Sequence, residues 1–389
     1  MSDNRNLTVN VLPVTTYNFL HVNDSTLEIT DLNIKNETPA AKEALPAGVS
    51  LKEKASPDEV NALFSPFRDR IHVISDVHRD PNGDTSGREE SRIIRSGMGS
   101  DIDDFLEGIG ASTDIYTIAE GTKAAAPIVL SRTLSDRESV AGSYAIYAGR
   151  DSEVTVILFD ESEKDAAGFL GTSVRLLADE GATIRLIKAQ TLGSGFVHFY
   201  DVGGAALKGG NIELVTLELG GRDVYSSAYI TLSEKSATLS SEMGYLCRDD
   251  HSLDANYVAD HRGKKSEAHM NFRGVLMGTA KKTLRGTLDF KTGSSGSVGD
   301  EQEDALLLDP DVINRTMPII LCQEEDVEGR HGATIGQLSE DLLFYMQTRG
   351  IDEDEAKRIM IRARLESVSR LIVDDEIRHK VKYYIQNII

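Results

Sequence analysis

Val154-Thr155-Val156-Ile157, Ile184-Arg185-Leu186-Ile187 and Ile212-Glu213-Leu214-Val215 are three versions of one short apolar phrase, set at steps of roughly 28 to 30 residues. In each, a polar second residue stands between aliphatic ones, which is how a strand with a buried face reads. From about residue 126 the same texture continues outward. Runs of aliphatic and β-branched residues at 127–130, 144–147, 174–177, 197–200, 224–232 and 286–290 are separated by Gly, Asp, Asn and Ser, the punctuation of strands and turns. Almost no helical period interrupts them before Gly336. About two hundred residues of strand exceed one ordinary sandwich and suit stacked coils. The expected fold is mainly β, a parallel β-helix (solenoid) over residues 126–336.

The two ends read differently. Residues 1–125 mix an apolar-aromatic run at 12–22, a polar Pro-containing stretch to Pro57 and a strand-like run at 71–75. They are expected to form an irregular or helical N-terminal region. Its segment 76–100, charged and Gly-rich, reads as a flexible exposed loop. Residues 337–389 are expected to be a helical domain. Ser339 can cap a helix over 340–348 with Gly350 as its stop, Asp352 and Glu355 open a second helix toward Ser369, and Asp374 and Asp375 begin a third. In that last helix Ile377, Val381, Tyr384, Ile385 and Ile388 share one stripe, which either packs on its own neighbours or meets a partner.

Charge and composition narrow the function. Across 389 residues, 63 acidic side chains oppose 42 basic ones for a net charge of -21, a field that repels phosphate backbones and anionic lipid. Neither nucleic acid nor a membrane is expected as a partner. The two cysteines, Cys247 and Cys322, make no disulfide framework, and residues 1–11 lack the basic and apolar regions of a signal peptide, so a cytoplasmic setting is expected. No phosphate-binding loop, nucleophile elbow, zinc-protease helix or dinucleotide fingerprint occurs, so the chain is not expected to bind nucleotide or to be an enzyme. A β-helix carbohydrate-active enzyme is the alternative of another class, yet no Trp is present to stack on sugars.

What remains is a concentration of thiol, imidazole and carboxylate groups late in the chain: Cys247, His251, Asp254, His261 and His269, then Cys322, Glu324, Glu325, Asp326, Glu328 and His331. Such groups hold iron. Each also has a plain reading, the cysteines as small buried hydrophobes and the acids as a solvated face. His331 lies among Gly329, Gly332 and Gly336. Small neighbours leave space beside an imidazole, and the same residues would also make a turn leaving the last coil.

The run DVEGRHGATIGQLSEDLLFYMQTRGIDEDEA, residues 326–356, resembles the C-terminal signature of the SufB/SufD proteins of the SUF iron–sulfur assembly system. Upstream, Gly181-Ala182-Thr183-Ile184, Leu219-Gly220-Gly221, Arg273-Gly274-Val275-Leu276 and Ala305-Leu306-Leu307-Leu308 fit the same resemblance. It implies a right-handed parallel β-helix between helical ends, and a scaffold subunit working with a SufC-type ATPase. The β-helix would pair with a SufB-like paralogue or a second copy of itself. The C-terminal helices would dock the ATPase, through Leu342, Phe344, Ile359 and Ile361. His331 matches the family histidine near the protomer interface, a candidate ligand for a transient iron–sulfur cluster, with Cys322 or Glu324 as candidate second donors. SufB-like members usually carry Glu after this histidine, where Gly332 stands here, so the resemblance is better to the SufD-like members. Many SufD proteins have a cysteine two residues earlier, where Gly329 removes a thiolate. A purely structural ATPase partner without a cluster site is the other reading.

Overall fold

In the computed structural model, which describes residues 5–16, 18–30, 33–71, 93–337 and 339–387, the quoted phrases are neighbours. Val154 pairs with Ile184 and Ile184 with Ile212, in parallel register, and Leu239 and Ala268 extend the same row. All five are buried. Successive strands alternate between two sheets, so the chain winds as a parallel β-solenoid. One sheet has eight strands, from Ile128–Leu134 to Val327–Gln337, and the other ten, ending at Ile313–Cys322. The inward faces form one continuous core running from Tyr116 and Ile118 to Leu288 and Phe290.

One edge of the solenoid has a repeat that the apolar pattern does not announce. Asp151, Gly181, Gly209, Ser236, Lys265 and Gly296 occupy equivalent turns with φ between 54° and 78°. The amide of each donates to a carbonyl one coil further on: Glu180, Lys208, Lys235, Lys264, Ser295 and Asp326 in that order, at 2.6–3.0 Å. Stacking satisfies the turn backbone and offsets the left-handed conformation that three non-glycine residues adopt there.

Both outer faces are covered. The N-terminal region holds helices α1 (Pro57–Phe64), α2 (Arg68–Ile71) and α3 (Ser100–Gly108). It also contributes strands: Thr113–Ile118 joins the ten-stranded sheet in parallel, and Val49–Ala55 pairs with it antiparallel. Ile71, expected to open a strand, ends α2 instead, and 72–75 lie outside the described residues. Of the segment 76–100, residues 76–92 also lie outside them, whereas Ile93, Ile94 and Met98 are buried. Asp201, fully buried, holds this stretch down: it accepts from the Met98 amide at 3.0 Å, Ser96 Oγ at 2.9 Å and Arg175 at 2.8 Å.

The C-terminal helices α4 (Glu340–Thr348), α5 (Glu353–Ser369) and α6 (Asp375–Gln386) begin where Ser339, Asp352 and Asp374 accept hydrogen bonds from the amides of Leu342, Glu355 and Ile377. Gly350, with φ 83°, follows α4. The stripe of α6 packs inside the molecule: Ile377, Val381 and Ile385 join Ile361, Leu365 and Val368 of α5 against Ile157, Ile187, Val215 and Leu246 on the eight-stranded sheet. Ile388 lies outside the described residues.

Candidate functional site

The last coil is uncovered. Among the described residues, strand Val327–Gln337 pairs only with Ser297–Leu307, and Ile313–Cys322 only with Lys281–Phe290, so each leaves a free edge. Ile313, Ile320 and Ile335 are exposed there. The glycine-rich run around His331 is therefore neither a turn nor a loop but an edge strand. The stretch hides its strand character because none of its residues is buried enough to demand an apolar side chain.

His331 is exposed and lies in register with Glu301, which continues the inward-facing row of Ser241 and Met270. Across the coil, Glu301 meets Gly286: a Cβ there would come 2.1 Å from its Oε1. Gly286 pairs with Pro318 in the next coil, so His331 stands opposite Pro318. Cys322 is four residues further along that strand, about 13 Å at strand rise. Its thiol contacts the Glu324 carbonyl at 3.0 Å. The three residues expected to share a ligand set thus separate into His331 in one place and Cys322 with Glu324 at the turn. Among the described residues no group of three or more His, Cys, Asp or Glu is gathered as a metal site.

Beneath the last coil lies a buried polar floor that the sequence reading missed. Lys282 is paired with Glu303 and donates to Thr316 Oγ1 at 2.9 Å, and Tyr245 donates to the same Glu303 at 3.0 Å. Glu301, only 2% exposed, has no partner for Oε2, and burial, then the charge of Glu303, pushes its carboxyl up to about 8. The signal is in the sequence: Gly299, Glu301, Glu303, Ala305 and Leu307 alternate with outward residues at period two, but acids do not announce a buried face.

Deeper in the solenoid, Lys188 donates to Glu218 at 2.6 Å and lies 2.7 Å from His198 Nε2. His198 Nδ1 is 2.9 Å from the Leu170 carbonyl, so it carries the proton, and Nε2 is left to accept from Lys188. Burial depresses His198 well below its usual range, and Lys188 adds to that. Cys247 is buried, and burial pushes its thiol up to about 12, the behaviour of an inert core cysteine. His251 and His261 are buried as well, and His269 is exposed.

Of the expected docking residues, Leu342 and Phe344 on α4 are exposed, at 38% and 68%, beside exposed Tyr345. Ile359 is half-buried. Ile361 is buried in the seam between α5 and the sheet, where it serves the chain's own packing and is out of reach of a partner. No helix among the described residues is long and apolar enough to cross a membrane.

A parallel β-solenoid with helical cover on both faces and one uncovered terminal coil defines the class of protein. The family model described as SUF system FeS cluster assembly, SufBD core domain, matches residues 131–364, more than half the chain, and the chain belongs to this family. It is similar to an iron–sulfur cluster assembly SufBD family protein of Mycobacterium leprae, 20% identical over 322 residues, covering 80% of this chain and 81% of that one. The iron–sulfur cluster assembly protein SufD of Bacillus subtilis is 31% identical over 101 residues, 26% of this chain and 23% of that protein. A SufBD family protein of Mycobacterium bovis is 30% identical over 122 residues, 31% of this chain, and the match spans only 14% of that longer protein.

Proposed function

We propose that the chain is a SufD-like scaffold subunit for iron–sulfur cluster assembly, working with a SufC-type ATPase and meeting a SufB-like paralogue or a second copy of itself. The observation that carries this reading is the uncovered last coil with His331 on it. A solenoid end with free edges and exposed isoleucines is a surface that needs covering, and the histidine stands where a second chain would arrive. The exposed residues Leu342, Phe344 and Tyr345 on α4 support an ATPase contact separate from that edge. In this reading the protein catalyses no reaction of its own, and iron and sulfide are its cargo. The test is anaerobic incorporation of iron and sulfide by the protein with its partners. His331→Ala is expected to keep the wild-type melting temperature and lose most incorporation. A variant that melts early yet matures target proteins in proportion to its soluble amount would make His331 structural.

A further inference from the structure

His331 is left without a fellow donor from Cys322 or Glu324, because Cys322 lies about 13 Å along its strand from Pro318, the residue opposite His331, and Glu324 lies beyond the end of that strand. The position beside it is filled. Glu301 and His331 are register partners on adjacent parallel strands, so their side chains leave the same face roughly 4.8 Å apart. Glu301 is buried, and its Oε2 has no hydrogen-bond partner. A buried carboxyl oxygen without a partner is a costly arrangement that a native fold keeps for a reason. Its neighbour Glu303 also has an unpartnered Oε2, but that carboxylate is held in place through Oε1 by Lys282 and Tyr245, and Glu301 has no such anchor. The coil makes room for it: Gly286 supplies no Cβ where the carboxyl lies, as glycine inside a strand does where another group approaches closely.

We propose that Glu301 and His331 together form a ferrous-ion site between the last two rungs of the eight-stranded sheet, one oxygen of the Glu301 carboxyl, which releases its proton to solvent as the ion binds, and one imidazole nitrogen. This rests on the assignment of His331 to cluster assembly and adds the donor from this chain. Oxygen and nitrogen donors suit ferrous iron entering before sulfide arrives. The remaining coordination positions face the open end of the solenoid, where water, sulfide or a partner's side chain can occupy them.

The site is tested on the full chain alone, by anaerobic calorimetric titration with ferrous iron as the probe, with thermal melting of every variant. Wild type is expected to bind one ion. Glu301→Gln and His331→Ala are each expected to weaken binding by at least the roughly 10-fold loss that removing even an outer-shell partner brings. The double variant should bind no more weakly than the worse single one, and Cys322→Ser should bind as wild type. Glu301→Met, matching Met270 on the preceding rung, gives a second variant should the glutamine disturb the fold. Wild-type affinity in both Glu301 variants with loss in His331→Ala would overturn Glu301 as donor and leave His331 standing. Wild-type affinity in His331→Ala would overturn the reading beneath it. A wild-type chain that binds no ferrous iron, or loss of binding in Cys322→Ser, would overturn the site as described.

Discussion

Lys188 and Glu218 sit at opposite ends of one short contact in the middle of an apolar coil, and neither reaches water. Removing one partner of a buried pair leaves the other charge uncompensated, which costs about 3–5 kcal/mol. Lys188→Met should therefore lower unfolding free energy by that order in urea titrations, and adding Glu218→Leu should recover most of it. His261 has a different signature. Its ring stacks on Phe290 with centroids 4.6 Å apart, and burial drives its pKa down to about 3. The unfolded imidazole takes a proton near pH 6.5 while the folded one does not. Stability from neutral His261 is thus fully present above pH 6.5 and is lost as pH falls toward 3, by up to about 1.4 kcal/mol per pH unit. His261→Phe, which keeps the stack, should flatten the pH dependence of urea midpoints between pH 6.5 and 4. An unchanged slope would show that the folded ring accepts a proton.

Among the elements, the helices are legible in the sequence, and the last strand is legible only as the end of the expected solenoid, with a turn around His331 as the open alternative. Ser339, Asp352 and Asp374 announce their helices because a cap is a local bargain between one side chain and an amide three residues on. Asp374→Ala should cost about 1 kcal/mol by thermal melting, with α6 loosened from the sheet. The strands at 154–157, 184–187 and 212–215 were legible because both of their faces are covered, which forces apolar residues at nearly every position. Strand Val327–Gln337 is exposed along most of its length, so its sequence is free to be polar and Gly-rich, and although it falls within the expected solenoid 126–336, the residues around His331 read equally well as a turn. Burial of Ile361 was equally hidden, since an apolar stripe looks the same whether it meets its own sheet or a stranger. The exposed face of α4 makes a separable prediction. Phe344→Glu should leave stability within about 0.5 kcal/mol of wild type and abolish capture of a SufC-type ATPase in pull-down. Retained capture would place the docking face elsewhere.

For the whole molecule, the asymmetry between its covered faces and its open end is the main fact. Helices α5 and α6 cover one sheet and the N-terminal region the other, but among the described residues nothing continues the ladders past Ile313–Cys322 and Val327–Gln337. The repeat predicts such a coil, since a solenoid has no built-in size limit, yet periodicity carries no word about which end is left bare or what stands beside His331. Those depend on register between strands about thirty residues apart. A second chain is expected to cover the open end. Hydrogen exchange of the amides in 327–337, measured on the isolated chain and on its complex with a SufB-like paralogue or with itself, tests it most directly. Fast exchange is expected for the isolated chain and strong protection in the complex; a complex that forms while these amides exchange as fast as before would mean that the open end stays bare.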